Sequence, residues 1–387
     1  MVPESANDPK VMVLPHPIRL EAASGEPMDT LLFERAGVME GLRPYLTDET
    51  ATTERIINEV PGMQPLAIKL FGAYASGNLG SFVLILMRAR LRAYGDPIFQ
   101  VTLALQEMLA ETELGFDLPV RFFRPPHPLV YIEFARPNPL QVHNKQSGLH
   151  ECEGVYISSH DIPAHHEMLC NPVRNEVLKL DPSKPARMVE IVVTGSPVGK
   201  QHALDDASQD VMLLFQDEEE CLRTVLERHI EFFKSPHSWS QVGLAPLSQI
   251  EADTITPVIY QLAKVLLYIA LPEARQRNYP ERTEQEHRLS QLGPKKAAKL
   301  RRQQGHAYDR ILIGPDYVEE PQSDTDAATG DATNGVRPHW RRGHFRRIRF
   351  GEGLREVRVG WIPPTLVKAE ALQGEAQKKG SSHIPSR

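Results

Sequence analysis

The N-terminal part of the chain has the spacing of amphipathic helices. Apolar residues recur three and four positions apart in two runs, one beginning at Leu31 and one near Leu66, which is the pattern of a helix with one face on a core. A third apolar run follows Ser81, a residue type that caps helices well. These runs predict a helical domain over residues 28–124, preceded by an irregular, proline-rich arm at residues 1–27.

The dipeptide Asp96-Pro97 has the chemistry of a helix start. Aspartate is a good N-cap, and proline is tolerated at the first helical position because its missing N–H has no partner there. The dipeptide therefore predicts a further helix in the N-terminal domain. Its buried face would include Ile98 and Leu105, and it would stop at Gly115.

Residues 125–318 have a different texture, which begins with a cluster of prolines. Runs rich in β-branched and aromatic residues follow, and each predicts a strand: 129–134, 155–158, 188–194 and 211–215. The loops between them are rich in Pro, Asn and Gly, which favours a mostly antiparallel sheet. The acidic residues 217–220 and the dipeptide Thr256-Pro257 are expected to begin two helices, and residues 310–313 a further strand.

The C-terminal region begins with a segment that has almost no large apolar residue. Residues 319–335 are mainly Asp, Thr, Ala and Gly, which predicts a flexible linker. The Gly-Glu-Gly triplet at 351–353 is turn chemistry between two runs with period-two character, so residues 336–367 are predicted to form a β-hairpin. Residues 368–387 are expected to be a disordered tail. The predicted fold class is α+β, with a helical N-terminal half, a central mostly antiparallel sheet with flanking helices, and this hairpin.

Alternate side chains of the hairpin are expected to point to opposite faces. One face is predicted to be its core, formed by Trp340, Ile348, Phe350, Val357, Val359 and Trp361. The basic residues of the hairpin, with one aromatic among them, are predicted to bind nucleic acid: Arg341, Arg342, His344, Phe345, Arg346, Arg347, Arg349 and Arg358. Guanidinium groups match phosphate oxygens, and the Phe345 ring would stack on a base. A solvated hairpin whose arginines pair with acidic residues elsewhere is the alternative.

Charge is unevenly distributed along the chain. The net charge is −6, but residues 336–387 hold 12 Lys and Arg against 4 Asp and Glu, a net +8, which leaves −14 for residues 1–335. A basic tail on an acidic body fits either a tail folded on its own body or a tail that recruits a polyanion. A second basic block, residues 295–302, is interpreted as an exposed helix face, with a nucleic-acid patch as the alternative.

Three carboxylates are weak candidates for catalysis: Glu133 and Glu190 within apolar strands, and Asp161. If they converged, they would hold a divalent ion for phosphodiester cleavage, as in a nuclease. Alternation could equally place each of them at a solvent face. The histidines and cysteines between residues 143 and 170 lack the paired spacing of a zinc site, and no phosphate-binding glycine loop is present. The sequence therefore predicts no bound metal and no cofactor.

The cysteine content and the apolar runs indicate the compartment. The chain has three cysteines, Cys152, Cys170 and Cys221, without the spacing of a disulfide framework, which fits a reducing environment. The first residues do not form a secretory signal. The apolar run at residues 82–87 is far too short to span a bilayer. We therefore expect a cytoplasmic protein without a membrane partner.

The hairpin sequence VRPHWRRGHFRR, which starts at Val336, is followed by Trp361-Ile362-Pro363-Pro364. Together these motifs resemble the C-terminal signature of a protein family carried by phages, plasmids and other mobile elements. That family resembles the type V-A anti-CRISPR protein that lowers production of the RNA-guided effector nuclease, acting on the effector during its translation and causing loss of its messenger. The specific resemblance covers residues 336–364, and over the rest of the chain it extends to the order of parts.

The resemblance implies a binding protein. Its acidic body would recognise a polypeptide, such as a nascent chain or a component of the ribosome, and its basic hairpin would engage RNA. The result would be the downregulation of a host defence gene product. Two alternatives remain at this point: a metal-dependent nuclease that uses the strand carboxylates, and a DNA-binding maintenance protein of a mobile element, because phosphate contacts do not distinguish RNA from DNA.

Overall fold

The structure is a computed structural model. It describes residues 13–27, 30–71, 79–115, 117–144, 147–196, 207–235, 247–304, 306–317 and 339–367. Over these residues the fold is α+β, which confirms the predicted class: helices come first, a mostly antiparallel sheet lies at the centre, and hairpin strands form the C-terminal part. The predicted linker and the predicted tail lie outside the described residues.

The described N-terminal residues form five α-helices. They are α1 His16–Ser24, α2 Met39–Leu46, α3 Thr53–Glu59, α4 Met63–Phe71 and α5 Leu79–Ala93. Helix α1 lies in the segment predicted to be an irregular arm, and for these residues the prediction is wrong. Pro17 stands in the first turn, where its missing N–H is harmless, and Leu20 and Ala23 are buried. The arm is therefore helical because it packs against the rest of the molecule.

The central sheet contains eight strands. They are β1 Ile98–Val101, β3 Leu129–Glu133, β4 Gln141–Asn144, β5 Gly148–Ile162, β6 Ala186–Ser196, β7 Ala207–Phe215, β8 Gln276–Pro280 and β9 Asp309–Ile313; the short strand β2 Thr112–Glu113 lies outside this sheet. The strand order is β7-β6-β5-β3-β1-β9-β8, with β4 paired to β5. Strand β1 is parallel to β3 and β9, and the other pairs are antiparallel.

Helices cover both faces of this sheet. The remaining ones are α6 Leu103–Ala110, α7 Pro172–Leu178, α8 Leu222–Lys234, α9 Gln249–Ile269, α10 Glu281–Ser290 and α11 Pro294–Gln304. Val130 and Ile132 of β3 face a large core shared with α8 and α9, whereas Leu129 and Tyr131 face a smaller core shared with α5. Alternation along β3 thus separates the two layers, since neighbouring side chains of a strand point to opposite faces.

The helix predicted to begin at Asp96-Pro97 begins only at Leu103, so the predicted start is wrong. Residues 98–101 form strand β1, and helix α6 starts at Leu103 behind the cap residue Thr102, whose side chain accepts a hydrogen bond from the Leu105 N–H. Strand β1 lies between two parallel neighbours, and such strands are buried on both faces and read as continuous apolar runs. The periodicity of a short apolar run does not separate a buried strand from a helix.

The helix predicted to begin at Thr256-Pro257 begins eight residues earlier. Ser248 caps α9 in a reciprocal capping box with Glu251, and Pro257 lies inside the helix. The Thr256 hydroxyl donates a hydrogen bond to the Ala252 carbonyl, 2.6 Å away. The proline therefore replaces one interior N–H of a long, buried helix and does not mark its start, because the capping box and the tertiary packing outweigh the local cost.

Four strands make up the C-terminal region: β10 His339–Arg341, β11 Gly343–Phe350, β12 Glu356–Ile362 and β13 Thr365–Val367. Strands β11 and β12 form the predicted hairpin and pair over seven residues. Strand β10 pairs with β13. On its other side β11 pairs in parallel with β2, which follows helix α6 in the body. The hairpin is thereby joined to the body as part of a three-stranded sheet.

Candidate functional site

The hairpin is fixed to the body by backbone and side-chain contacts. The Gly343 N–H donates a hydrogen bond to the Glu111 carbonyl at 3.0 Å. The indole N–H of Trp361 donates to the Thr112 hydroxyl at 3.3 Å, and its ring meets Tyr268 of α9 edge-on, with 5.4 Å between ring centroids. These contacts hold the hairpin in one place on the body, so its outward side chains are presented in a fixed arrangement.

The register of the hairpin determines which side chains face the body. Phe345 lies opposite Trp361, and Arg347 lies opposite Val359. Phe345 and Val359 are 1% and 2% exposed and belong to the large core, and the Phe345 and Trp361 rings stack with 5.9 Å between centroids. The inner face of the hairpin is therefore made of odd-numbered residues from both strands.

This register contradicts part of the predicted hairpin core. Ile348 and Phe350 were expected to share a face with Val357, Val359 and Trp361, but they lie on the opposite, outward face. That expectation requires an even number of loop residues, whereas the observed loop spans 351–355, with Phe350 opposite Glu356. With an odd number of loop residues, even-numbered residues of β11 lie opposite even-numbered residues of β12 and share a face with them. A change of one residue in the register would move every side chain of a strand to the other face.

The outward face of the hairpin is both basic and apolar. We call it the outer face, and its members at even positions are His344, Arg346, Ile348, Phe350, Glu356, Arg358, Gly360 and Ile362. The Arg358 guanidinium lies 5.8 Å from the centroid of the Phe350 ring, and 39% of Phe350 is exposed. A guanidinium next to an exposed ring offers a phosphate contact and a stacking platform side by side.

Phe345 was predicted to be that stacking platform, and its position contradicts the prediction. Its ring is buried between the hairpin and the body, so a base has no access to it. Sequence reasoning assigned Phe350 to the core and missed its exposure. The signal that would have found it is parity along the strand. Phe345 and Phe350 are five positions apart on β11, and an odd separation places their rings on opposite faces.

The predicted nucleic-acid-binding arginines fall into three groups. Arg347 turns inward: its backbone N–H donates to the Asp117 carboxylate at 3.2 Å, and its guanidinium lies 3.7 Å from the Glu219 carboxylate. Arg342 is exposed and pairs with Glu113 on β2. Arg346, Arg349 and Arg358 are exposed on the hairpin, away from these acids. The side chains of Arg341 and Trp340, both on β10, lie outside the described residues.

The three candidate carboxylates do not come together. Glu190 lies opposite Ser158 in the register of β5 and β6 and accepts a hydrogen bond from the ring of His160 at 3.1 Å. Asp161 is an odd-numbered residue of β5 and points to the other face of the sheet, where it is exposed. Glu133 lies opposite Gly154 of β5, and Glu190 lies opposite Ser158 on the other side of β5. The two carboxylates are therefore four residues apart along the strands and two strands apart, which corresponds to roughly 13 Å along the strands and roughly 10 Å across them. This arrangement does not form a nuclease centre.

The histidines and cysteines between residues 143 and 170 are also dispersed. His150 contacts the Ser147 hydroxyl, and His160 contacts the Glu49 carbonyl. Cys152 is buried, and burial raises the pKa of its thiol. Over the part of the chain that the structure describes, no group of three or more His, Cys, Asp and Glu side chains is arranged to hold a metal ion.

Glu133 is unusual for another reason: it is a buried carboxyl group, and one of its oxygens has no hydrogen-bond partner. It is 9% exposed, and its Oε2 atom accepts no hydrogen bond. Burial, reinforced by the nearby Glu153 carboxylate, raises the pKa of Glu133 from 4.5 to about 7. The folded state therefore retains a proton that the unfolded chain releases between these pH values, and the stability that this proton contributes is lost as the pH rises through 7.

We expect the substitution Glu133→Gln to stabilise the protein at high pH. The amide imitates the protonated carboxyl, so the free energy of unfolding should exceed that of the wild type by about 2–3 kcal/mol near pH 8 and match it below pH 4.5. Urea unfolding at both pH values measures the difference. Glu190→Gln is the matched control: Glu190 is also buried, but its pKa is lowered, so that variant should lose stability at high pH. Equal effects of Glu133→Gln at both pH values would contradict the raised pKa of Glu133.

Comparison with known proteins first identifies the class of the chain: residues 99–369 match a family of anti-CRISPR proteins. The family is AcrVA2-like, described as the anti-CRISPR type V subtype A2 family. Because the match spans well over half of the chain, the chain belongs to this family. The resemblance that rested on residues 336–364 is confirmed.

Among solved structures, the chain is similar to one titled "Crystal structure of AcrVA2". The sequences are 14% identical, the match covers 88% of this chain and 97% of that chain, and the TM-score is 0.47. Nothing among curated proteins matches the sequence. Within the described residues, no helix is both long and apolar enough to cross a membrane.

Proposed function

We propose that this anti-CRISPR family member binds single-stranded RNA on the outer face of its hairpin. The observation that carries the proposal is the pairing of exposed arginines with an exposed aromatic ring: Arg346 and Arg358 flank Ile348 on neighbouring strands, and Phe350 lies beside the Arg358 guanidinium. Arginine forks suit phosphates, and a ring accepts any base, so this face would engage RNA with little sequence preference.

The acidic body supplies a second part of the proposal. It carries a formal charge of −14 over residues 1–335, against +8 over residues 336–387, so a polyanion is attracted to the hairpin and repelled elsewhere. In our proposal the body recognises a polypeptide while the hairpin holds RNA in the cytoplasm. Family membership supports a role against a CRISPR effector, and the joint contact would lower production of that effector during its translation.

The first test reverses two outer-face charges. We expect Arg346→Glu with Arg358→Glu to weaken the binding of a single-stranded RNA more than about tenfold. The slope of log affinity against log salt concentration should become shallower by about one to two. Fluorescence anisotropy over a salt series measures both. Neither residue is buried, so the unfolding transition should stay in place.

The matched control reverses two exposed cations on the helical side of the body, Arg43→Glu with Lys69→Glu. It changes the net charge by the same amount, and its RNA affinity should stay close to that of the wild type. If both double variants lose affinity equally, the effect comes from net charge and the proposed face is wrong. Repeating the titration with single-stranded DNA of the same sequence tests the DNA-binding alternative, which would be favoured by tighter binding of DNA.

A further inference from the structure

A pocket lies next to the hairpin, between β2 and the helices α8 and α9. Its volume is about 450 Å³, and the charged and polar side chains in its walls include Glu111, Glu113, Arg223, Tyr260, Lys264 and Arg342. Three of these side chains are cationic, and they come from three separate parts of the chain. None of them belongs to the outer face of the hairpin.

Lys264 is the central cation of this pocket. Helix α9 is otherwise largely apolar and buried, yet its Lys264 amine reaches the C-terminal end of α6 and donates a hydrogen bond to the Leu109 carbonyl at 2.7 Å. An ammonium group has three N–H donors. Over the described part of the chain, Leu109 is the one hydrogen-bond acceptor of Lys264, so two donors are left for a ligand.

The two arginines that line the pocket are held in ion pairs. Arg342 pairs with Glu113, and Arg223 pairs with Glu227 on the same helix. Lys264 is near the Glu111 and Glu113 carboxylates but forms no ion pair with either. Lys264 is thus the lining cation without an ion pair in the described part of the chain, and Glu111 is the lining carboxylate without one. The Tyr260 hydroxyl, on the same helix as Lys264, also lines the pocket.

The pocket is continuous with the outer face of the hairpin. His344 lies opposite Glu113 in the parallel pairing of β11 with β2, and Arg342 pairs with the same Glu113. Since opposite residues of paired strands share a face, the side chains of Arg346 and His344 on β11 lead to Arg342, which precedes the strand and lines the pocket. A strand of RNA on the outer face that follows these side chains would arrive at the pocket that Arg342 and Lys264 line.

We infer that this pocket, which we call the Lys264 pocket, binds a phosphate group of the RNA strand that lies on the outer face. The inference rests on the proposed function, because it extends the RNA path beyond the hairpin. A phosphodiester carries a single negative charge, which matches the single unpaired cation, and its two free oxygens match the two unused N–H donors. An acidic peptide is the competing occupant that the test must exclude.

The acid–base chemistry of Lys264 provides a specific signature. Burial lowers the pKa of its amine to about 8, although Glu111 and Glu113 favour the charged form. Arg223 and Arg342 also line the pocket, and burial raises the pKa of the Tyr260 hydroxyl. The ammonium is therefore present at neutral pH and is lost as the pH rises through 8. Phosphate binding should weaken over the same interval.

Three variants test the inference through RNA affinity. We expect Lys264→Met to weaken single-stranded RNA binding about tenfold at pH 7. Lys264→Arg should keep the affinity and remove its decline above pH 8, because a guanidinium does not titrate there. Lys234→Met, which removes an exposed lysine at the end of α8, is the matched control and should behave as the wild type. Normal affinity and an unchanged pH profile in Lys264→Met would overturn the inference.

A direct measurement separates this inference from the proposed function. Acetylation of each lysine can be followed by mass spectrometry on the full-length chain, with inorganic phosphate, single-stranded RNA or an acidic peptide added in turn. Protection of Lys264 by RNA and by phosphate supports the pocket. Protection by the acidic peptide alone, by phosphate alone, or by none of the three overturns it. The RNA affinities of the two sets of variants also separate the inference from the proposed function. If Lys264→Met leaves RNA binding intact while Arg346→Glu with Arg358→Glu abolishes it, the inference about the Lys264 pocket is wrong and the proposed function stands. If both sets of variants leave RNA binding intact, both are wrong.

Discussion

Phe345→Ala should destabilise the protein by about 3–5 kcal/mol, because it removes a ring that is 1% exposed and belongs to the main core. The ring stacks on Trp361, which in turn contacts Tyr268 of the body. Deleting it leaves a cavity in the layer that joins the hairpin to α9. The free energy of unfolding, measured by urea denaturation, should fall by this amount.

The matched control for this substitution is Phe350→Ala on the same strand. That ring is 39% exposed and lies on the outer face beside Arg358, so its loss should cost less than about 1 kcal/mol of stability. RNA affinity should instead fall about tenfold, since stacking on a ring is worth about 1–3 kcal/mol per base. Equal losses of stability in the two variants would contradict the observed register of the hairpin.

These two phenylalanines show how far the sequence predicts the site. Gly351 and Gly353, with the alternating residues on either side, were enough to predict a hairpin, and β11 and β12 confirm it. The faces could not be predicted, because they depend on the number of loop residues, and Leu354 and Arg355 belong to the loop although they resemble strand residues. Neither residue has a local preference strong enough to fix the end of the turn.

The strands of the central sheet were easier to predict than its edges. Runs such as 129–134 and 188–194 are apolar and rich in β-branched residues, and both coincide with buried strands. Strand β8 was missed, since its sequence from Gln276 to Pro280 is polar and half-exposed at the edge of the sheet. An edge strand of this kind is formed by its backbone pairing with the neighbouring strand, here β9, and the composition of its own residues does not indicate a strand.

The sequence also gave no sign of a buried ion pair that fixes helix α1 to the sheet. Arg19 of α1 donates two hydrogen bonds to the two carboxylate oxygens of Glu153 on β5, and both side chains are at most 1% exposed. Arg136 lies 2.9 Å from the same carboxylate. Arg19 and Glu153 are 134 positions apart in the sequence. Charge partners so far apart are found only through the fold.

We expect Arg19→Leu to destabilise the protein by about 3–5 kcal/mol at pH 7. The leucine fills part of the space, but the Glu153 carboxylate stays buried and keeps Arg136 as its remaining cation, and an undercompensated buried charge is costly. Urea unfolding measures the loss. Arg35→Leu is the matched control, because Arg35 pairs with Glu26 at the surface, is 62% exposed in its side chain, and should change stability by less than about 1 kcal/mol.

A double substitution separates the charge from the packing. In Arg19→Leu with Glu153→Gln the buried carboxylate is removed together with its partner, so we expect at least half of the lost stability to return. If the double variant is as unstable as Arg19→Leu alone, helix α1 is held by the shape of the Arg19 side chain, and the ion pair contributes little.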